Sequence, residues 1–151
     1  MRWEGPDGYW VSDDPSLIDV DLVHDWISGE SYWAKGRRRE VMVRSIEHSL
    51  VLGMYTSDGK QVGFARFVTD RATFAWLCDV FVAEGHRGGG AGSFLVKAAV
   101  DHPDVAEIRQ LLMANPGRSL YRRHGFGDLR RPERWMERPT PVTQPADASA
   151  Q

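Results

Sequence analysis

The spacing of apolar residues changes several times along this 151-residue chain, and each change marks an element. Tyr9-Trp10-Val11-Ser12 is a short strand-like run closed by Asp13-Asp14-Pro15. Val20, Leu22, Val23, Trp26 and Ile27 then recur at helical spacing, with Asp19 and Asp21 at the positive N-terminal end and Gly29 as the stop. An aromatic loop, Ser31-Tyr32-Trp33-Ala34-Lys35-Gly36, leads to a second helix predicted over 37–48. Met42 and Ile46 face inward there, and Glu40 with Arg44 forms a pair one turn apart.

The middle of the chain reads as strands. Leu50 to Thr56 is apolar, Ser57-Asp58-Gly59-Lys60 is a hairpin turn, and Gln61 to Val68 returns. Thr69-Asp70-Arg71 is a second turn, followed by a long strand from Thr73 to Val82. Its alternation places Phe74, Trp76, Cys78 and Val80 on one face and Ala75, Leu77, Asp79 and Phe81 on the other. A helix reaching about Asp101 is stopped by His102-Pro103, and Ile108 to Ala114 is another strand. Asn115-Pro116 reads as the cap and first position of a last helix, Gly125 as its terminator, and Phe126 and Trp135-Met136 as final strands. From Pro139 onward, Thr, Pro, Gln and Ser dominate, and disorder is expected. The division is an N-terminal segment 1–8, one domain over 9–138 and a tail over 139–151. The order β-α-α-β-β-β-α-β-α-β is an α+β layout around one mixed sheet.

Composition narrows the functional classes. An apolar share of 42% and a charged share of 26% are those of a globular chain with a real core. A net charge of −2 offers no global attraction to nucleic acid or an anionic membrane. No apolar run reaches membrane-spanning length and no signal-peptide core is visible, so a cytoplasmic location is expected. The lone Cys78 lies in an apolar run and reads as buried and inert. Five scattered histidines lack metal-ligand spacing, so no metal is expected. The short basic runs at 37–39, 122–123 and 130–131 read as solvated faces or phosphate helpers.

Candidate chemistry centres on Arg87-Gly88-Gly89-Gly90-Ala91-Gly92-Ser93, a glycine turn between a buried strand and a helix. Such a turn lets backbone N–H groups approach an anion, with a helix N-terminus aimed at the same point. It is not a P-loop, because Ala91 follows Gly90 where a Lys is required. Nor is it G-x-G-x-x-G, whose third glycine would fall on Ser93 or Leu95. The spacing that fits is R-x-x-G-x-G over Arg87, Gly90 and Gly92. This resembles the acetyl-CoA pyrophosphate loop of the GNAT (Gcn5-related N-acetyltransferase) superfamily. Downstream, Leu120-Tyr121-Arg122-Arg123-His124-Gly125-Phe126 is similar to the L-Y-x-x-x-G-F segment of that superfamily, and the element order agrees as well.

The resemblance implies the GNAT fold, a mixed central sheet flanked by helices, and an acetyl-CoA-dependent N-acetyltransferase. The acceptor would be a small-molecule amine or a protein amino group, attacked directly in a ternary complex. Backbone groups from Arg87 to Ser93 would hold the pyrophosphate, and Val80, Phe81 and Val82 on a splayed strand would offer free backbone groups to the cofactor. Tyr121 matches the general acid that protonates the leaving thiolate. Asp79 is a candidate base or amine orienter, with a structural acid as the equal alternative. The glutamate used by histone-type members falls near Trp76 and is absent. Tyr32, Trp33, Arg66, Asp70 and Trp135 are expected on the acceptor side, where aromatic rings with acids would hold a cationic amine. Pairing of edge strands in the superfamily brings in a homodimer as one option. The rival reading is a CoA-binding or partner-binding module on the same fold.

Overall fold

A computed structural model describes residues 1–114 and 116–141. Six strands form one mixed sheet in sequence order: β1 (Arg2–Glu4), β2 (Trp10–Ser12), β3 (Leu50–Tyr55), β4 (Gln61–Thr69), β5 (Phe74–Val82) and β6 (Arg109–Leu112). All neighbours are antiparallel except β5 and β6, which run parallel. Helices are α1 (Val20–His24), α2 (Arg39–Glu47), α3 (Ala91–Val100) and α4 (Arg118–Arg122).

The sheet carries a core on each face, which explains why β3 is buried along its whole length. On one face Leu52, Phe67 and Leu77 pack with Leu95 and Ala99 of α3. On the other, Val51, Phe64 and Phe81 meet Val23, Trp26 and Ile27, with Met42 and Ile46 of α2. Asp19 caps α1 by accepting from the Leu22 amide at 3.0 Å, as its position before an apolar period predicts. Beyond His24 the chain widens into a π-helical turn over Asp25–Glu30 before Ser31 ends it.

Several expectations are corrected. Arg2–Glu4, read as lying outside the elements, is an edge strand with Trp3 opposite Val11. The final strands at Phe126 and Trp135-Met136 do not form. Pro132 opens a 3-10 turn through Arg134, and Trp135 leaves it 38% exposed. α4 begins at Arg118 after Gly117 rather than at Pro116, while Asn115 lies outside the described residues. Glu40 pairs with Arg38 at 2.9 Å, not with Arg44. In the expected tail, 139–141 are exposed and 142–151 lie outside the described residues. Among the described residues, no helix is long and apolar enough to cross a membrane.

Candidate active site

The decisive local event lies in β5. Phe64 pairs with Phe81 and Arg66 with Cys78, so two residues, Asp79 and Val80, stand opposite the single Ala65. This is a β-bulge, and Asp79 adopts a left-handed backbone at φ +52°. The extra residue inverts the alternation beyond it. Leu77 joins the core under α3 whereas Phe81 joins the opposite core, although simple alternation puts both on one face. Pairing with β6 ends at Leu77 opposite Leu112, so on that side β5 runs on unpaired towards Val82 while β4 stays bonded to its other edge. A two-strand opening therefore lies between the bulge and the end of β6.

Asp79 is 2% exposed and its carboxylate is fully engaged. Oδ2 accepts from Arg66 Nε and from Arg37 Nη1, each at 2.6 Å, and Oδ1 accepts from Trp33 Nε1 at 2.9 Å. Burial pushes its pKa up, but the two guanidinium groups more than offset this and hold the carboxyl below its usual range. A carboxylate so held has little capacity to take a proton, and the geometry agrees with the structural alternative. Arg66 is 8% exposed and also donates to Ser49 Oγ at 3.2 Å. It braces the bulge and does not line the acceptor side. Arg37, taken from sequence as part of a solvated basic run, is instead drawn into this cluster, its side chain 15% exposed.

The glycine turn follows β5 through a 3-10 turn over Glu84–His86. Gly88 and Gly90 take φ +87° and +88°, where a side chain would be strained. A Cβ at Gly88, Gly89 or Gly90 would meet no atom within 4 Å, so the turn is open to a ligand. No side chain caps Gly90, and the first α3 bond runs from Phe94 to the Gly90 carbonyl at 2.9 Å. The amides of Ala91, Gly92 and Ser93 in this first turn have no helical partner. A cradle of this kind fits a pyrophosphate. The Arg87 side chain turns back instead, donating from Nε to the Val82 carbonyl at 2.7 Å with its guanidinium 5.1 Å from the Phe81 ring centre. Ser93 Oγ and His124 Nε2 lie 2.8 Å apart, tying α3 to the segment after α4.

An open cleft of about 1480 Å³ is lined by Leu77 to Val80 of β5, by β6, by α4 and by the chain beyond it. Tyr121 and Cys78 face it. Burial and the neighbouring Tyr32 phenol push the Tyr121 hydroxyl up to about 12, so it stays protonated through neutral pH. Burial likewise pushes the Cys78 thiol up to about 12, which keeps it in its unreactive form. Tyr32, Trp33 and Trp135 also line the cleft, and Tyr32 meets Trp33 edge to face at 5.1 Å between ring centres.

Asp70 is elsewhere. Its Oδ1 accepts from the amides of Ala72 and Thr73 at 2.9 and 2.8 Å, and its Oδ2 from the Thr73 hydroxyl at 2.6 Å. The Thr73 hydroxyl, with the turn amides behind it, holds this carboxyl far below its usual range. With Asp70 capping its turn and Asp79 consumed by arginines, the expected cage for a cationic amine has lost its acids. Among the described residues, no group of three or more His, Cys, Asp or Glu side chains could hold a metal ion.

Comparisons with known proteins agree with this architecture. A family profile described as an acetyltransferase (GNAT) domain matches residues 47–127. A crystal structure from Xanthomonas campestris pv. campestris, described as a candidate acetyltransferase of the GNAT family, is 41% identical with a TM-score of 0.85. That likeness covers 91% of this chain and 96% of the other. A Gibberella zeae protein named as a candidate acetyltransferase is 28% identical over a 115-residue alignment, and the match covers 64% of this chain and 64% of that one. A Brucella melitensis GNAT acetyltransferase solved with acetyl-CoA shares the fold at TM-score 0.62 and 19% identity, over 81% of this chain and 84% of that one.

Proposed function

Since this chain belongs to the GNAT acetyltransferase family, we propose that it transfers an acetyl group from acetyl-CoA to a primary amine by direct attack in a ternary complex. The observation that carries this reading is the opening at the β5 bulge, with the glycine cradle at the end of the same strand and Tyr121 facing the cleft. The turn from Gly88 to Ser93 would hold the pyrophosphate through its backbone amides. When bound, acetyl-CoA supplies the thioester carbonyl that the amine attacks. Backbone groups of Val80 to Val82, unpaired on the β6 side, would hydrogen-bond the cofactor along this opening, apart from the Val82 carbonyl that Arg87 occupies. The protonated Tyr121 phenol supplies the proton that the departing sulfur needs.

Asp79 acts here as a positioning residue. Its ties to Arg37, Arg66 and Trp33 hold the left-handed bulge and join β5 to the loop bearing Tyr32. Among the described residues, the carboxylates lining the cleft are Asp79 and Asp128, and Arg118 and Arg122 each donate to Asp128 at 2.7 Å. The amine therefore attacks in its neutral form, the proton its nitrogen sheds on forming the amide passes to water, and Tyr121 is reprotonated from solvent after protonating the thiolate.

Thiol release from acetyl-CoA across a panel of amines, for wild type and Tyr121→Phe, tests the reading. The variant is expected to lose about 100-fold in kcat while retaining its affinity for acetyl-CoA. Binding of acetyl-CoA with no turnover of any amine in either protein would leave only a CoA-binding module.

A further inference from the structure

Building on the acetyl-transfer reading, we propose that the acceptor is an amine bearing negatively charged groups about 10 Å from its nitrogen, held by arginines along the outer part of the cleft. Six arginines line the cleft, at positions 109, 118, 122, 130, 131 and 134, against the two acids Asp79 and Asp128. Asp79 is paired with Arg37 and Arg66, and Asp128 Oδ1 with both Arg118 and Arg122. Arg109, Arg130, Arg131 and Arg134 have no carboxylate partner among the described residues. In a chain of net charge −2, this one cleft concentrates uncompensated positive charge, and its walls focus the field on whatever enters.

The strand register separates these arginines from the cofactor's pyrophosphate. Arg109 stands opposite Phe74, at the start of β5, whereas the glycine cradle follows Val82 at its end. Eight residues of strand put roughly 26 Å between those points. The Arg109 guanidinium lies 5.1 Å from the Trp135 ring centre, which brings Trp135 to the same end of the sheet. Arg134 precedes Trp135 directly, and its amide donates to the Arg131 carbonyl at 3.0 Å, so both belong to that corner. The reacting end is marked by Tyr121 and by the Leu77–Leu112 pair where β5 and β6 part. From Leu112 back to Arg109 is three residues, about 10 Å. A free amino acid carries its carboxylate too near the amine to span this. An acidic peptide of a few residues, or an aminoalkyl phosphate of similar length, places carboxylate or phosphate oxygens among guanidinium forks that suit them.

The experiment compares kcat/KM for Ser-Gly-Glu-Glu-Glu, its Gln and Lys counterparts and 6-aminohexyl phosphate, in wild type and in the Arg131→Gln/Arg134→Gln double variant. The Glu peptide, the phosphate or both should exceed the Gln peptide by at least about tenfold, and the Lys peptide should be poorest. The double variant should erase that preference while keeping its calorimetric Kd for acetyl-CoA. Equal kcat/KM for all acceptors would overturn the proposal. So would a weakened acetyl-CoA Kd in the double variant, which would move these arginines to the cofactor. Calorimetric titration of the CoA-bound protein with the same probes separates the two readings. Arginine-dependent binding of an anionic probe with no acetylation of any amine would retain the site and sink the transferase reading. No selective binding, with or without turnover, would sink the site.

Discussion

At the scale of single residues, the contrast between Tyr121 and Asp79 is instructive. Both are polar groups largely buried in the fold, Asp79 legible in the sequence as an acid in an apolar strand and Tyr121 through the L-Y-x-x-x-G-F segment. Tyr121 is left protonated by burial and faces the cleft, whereas Asp79 is ionised and enclosed. Asp79→Asn removes the charge that balances Arg37 and Arg66, and the expected cost is about 3 kcal/mol of unfolding free energy, measurable by urea denaturation. The pH dependence has a definite sign. Because the folded-state pKa of Asp79 lies below its unfolded value of about 4, its stabilisation is fully present above that pH. It is lost as the pH falls through the folded pKa. Thermal unfolding followed from pH 6 to pH 3 should therefore show a shallower acid decline in Asp79→Asn than in wild type. Turnover follows a different group. With both cleft carboxylates among the described residues paired with arginines, kcat/KM should climb with pH until the acceptor's own amine is neutral. A plateau set by an enzyme group near pH 5 would contradict that. Asp79 was visible as a buried acid, but its partners come from positions 33, 37 and 66, and no local spacing links those three to it.

Elements show why some features were legible and others were not. The glycine turn was readable because its chemistry is local: a backbone at φ +88° demands glycine, and R-x-x-G-x-G states where. Gly90→Val is expected to weaken acetyl-CoA binding at least tenfold by displacing the first turn of α3, a strain of order 1–2 kcal/mol. The cause is the backbone conformation and the side chain's intrusion on the ligand space, since a Cβ there meets no protein atom within 4 Å. Isothermal calorimetry reads this directly. The β5 bulge was not legible, because its run of apolar residues satisfies an unbroken period of two equally well. Only the pairing with β4 shows that Asp79 and Val80 share one partner position. Helix α4 illustrates the intermediate case: the L-Y-x-x-x-G-F pattern located it, yet it begins after Gly117, and the strands expected beyond it are replaced by a 3-10 turn and extended chain.

For the whole molecule, the sheet is closed off by a strand that composition gave no reason to expect. Trp3 packs against the core under α3 and lies 5.5 Å from the His102 ring, while the N-terminal amine and His102 both reach Asp13. Trp3→Ala should cost about 3 kcal/mol and lower Tm by roughly 6–12 °C in a chain of this size, as differential scanning calorimetry would record. The order of the main elements, the hairpins, the inward faces of α1 and α2 and the cradle were determined by the sequence alone. They depend on short-range period, caps and glycine backbone, which neighbouring residues specify among themselves. Tertiary structure decided which buried acid is ionised, which face each half of β5 presents, and where arginines without a carboxylate partner among the described residues collect. Those properties arise from residues far apart in the chain, and charge balance and strand register exist only once the elements have packed.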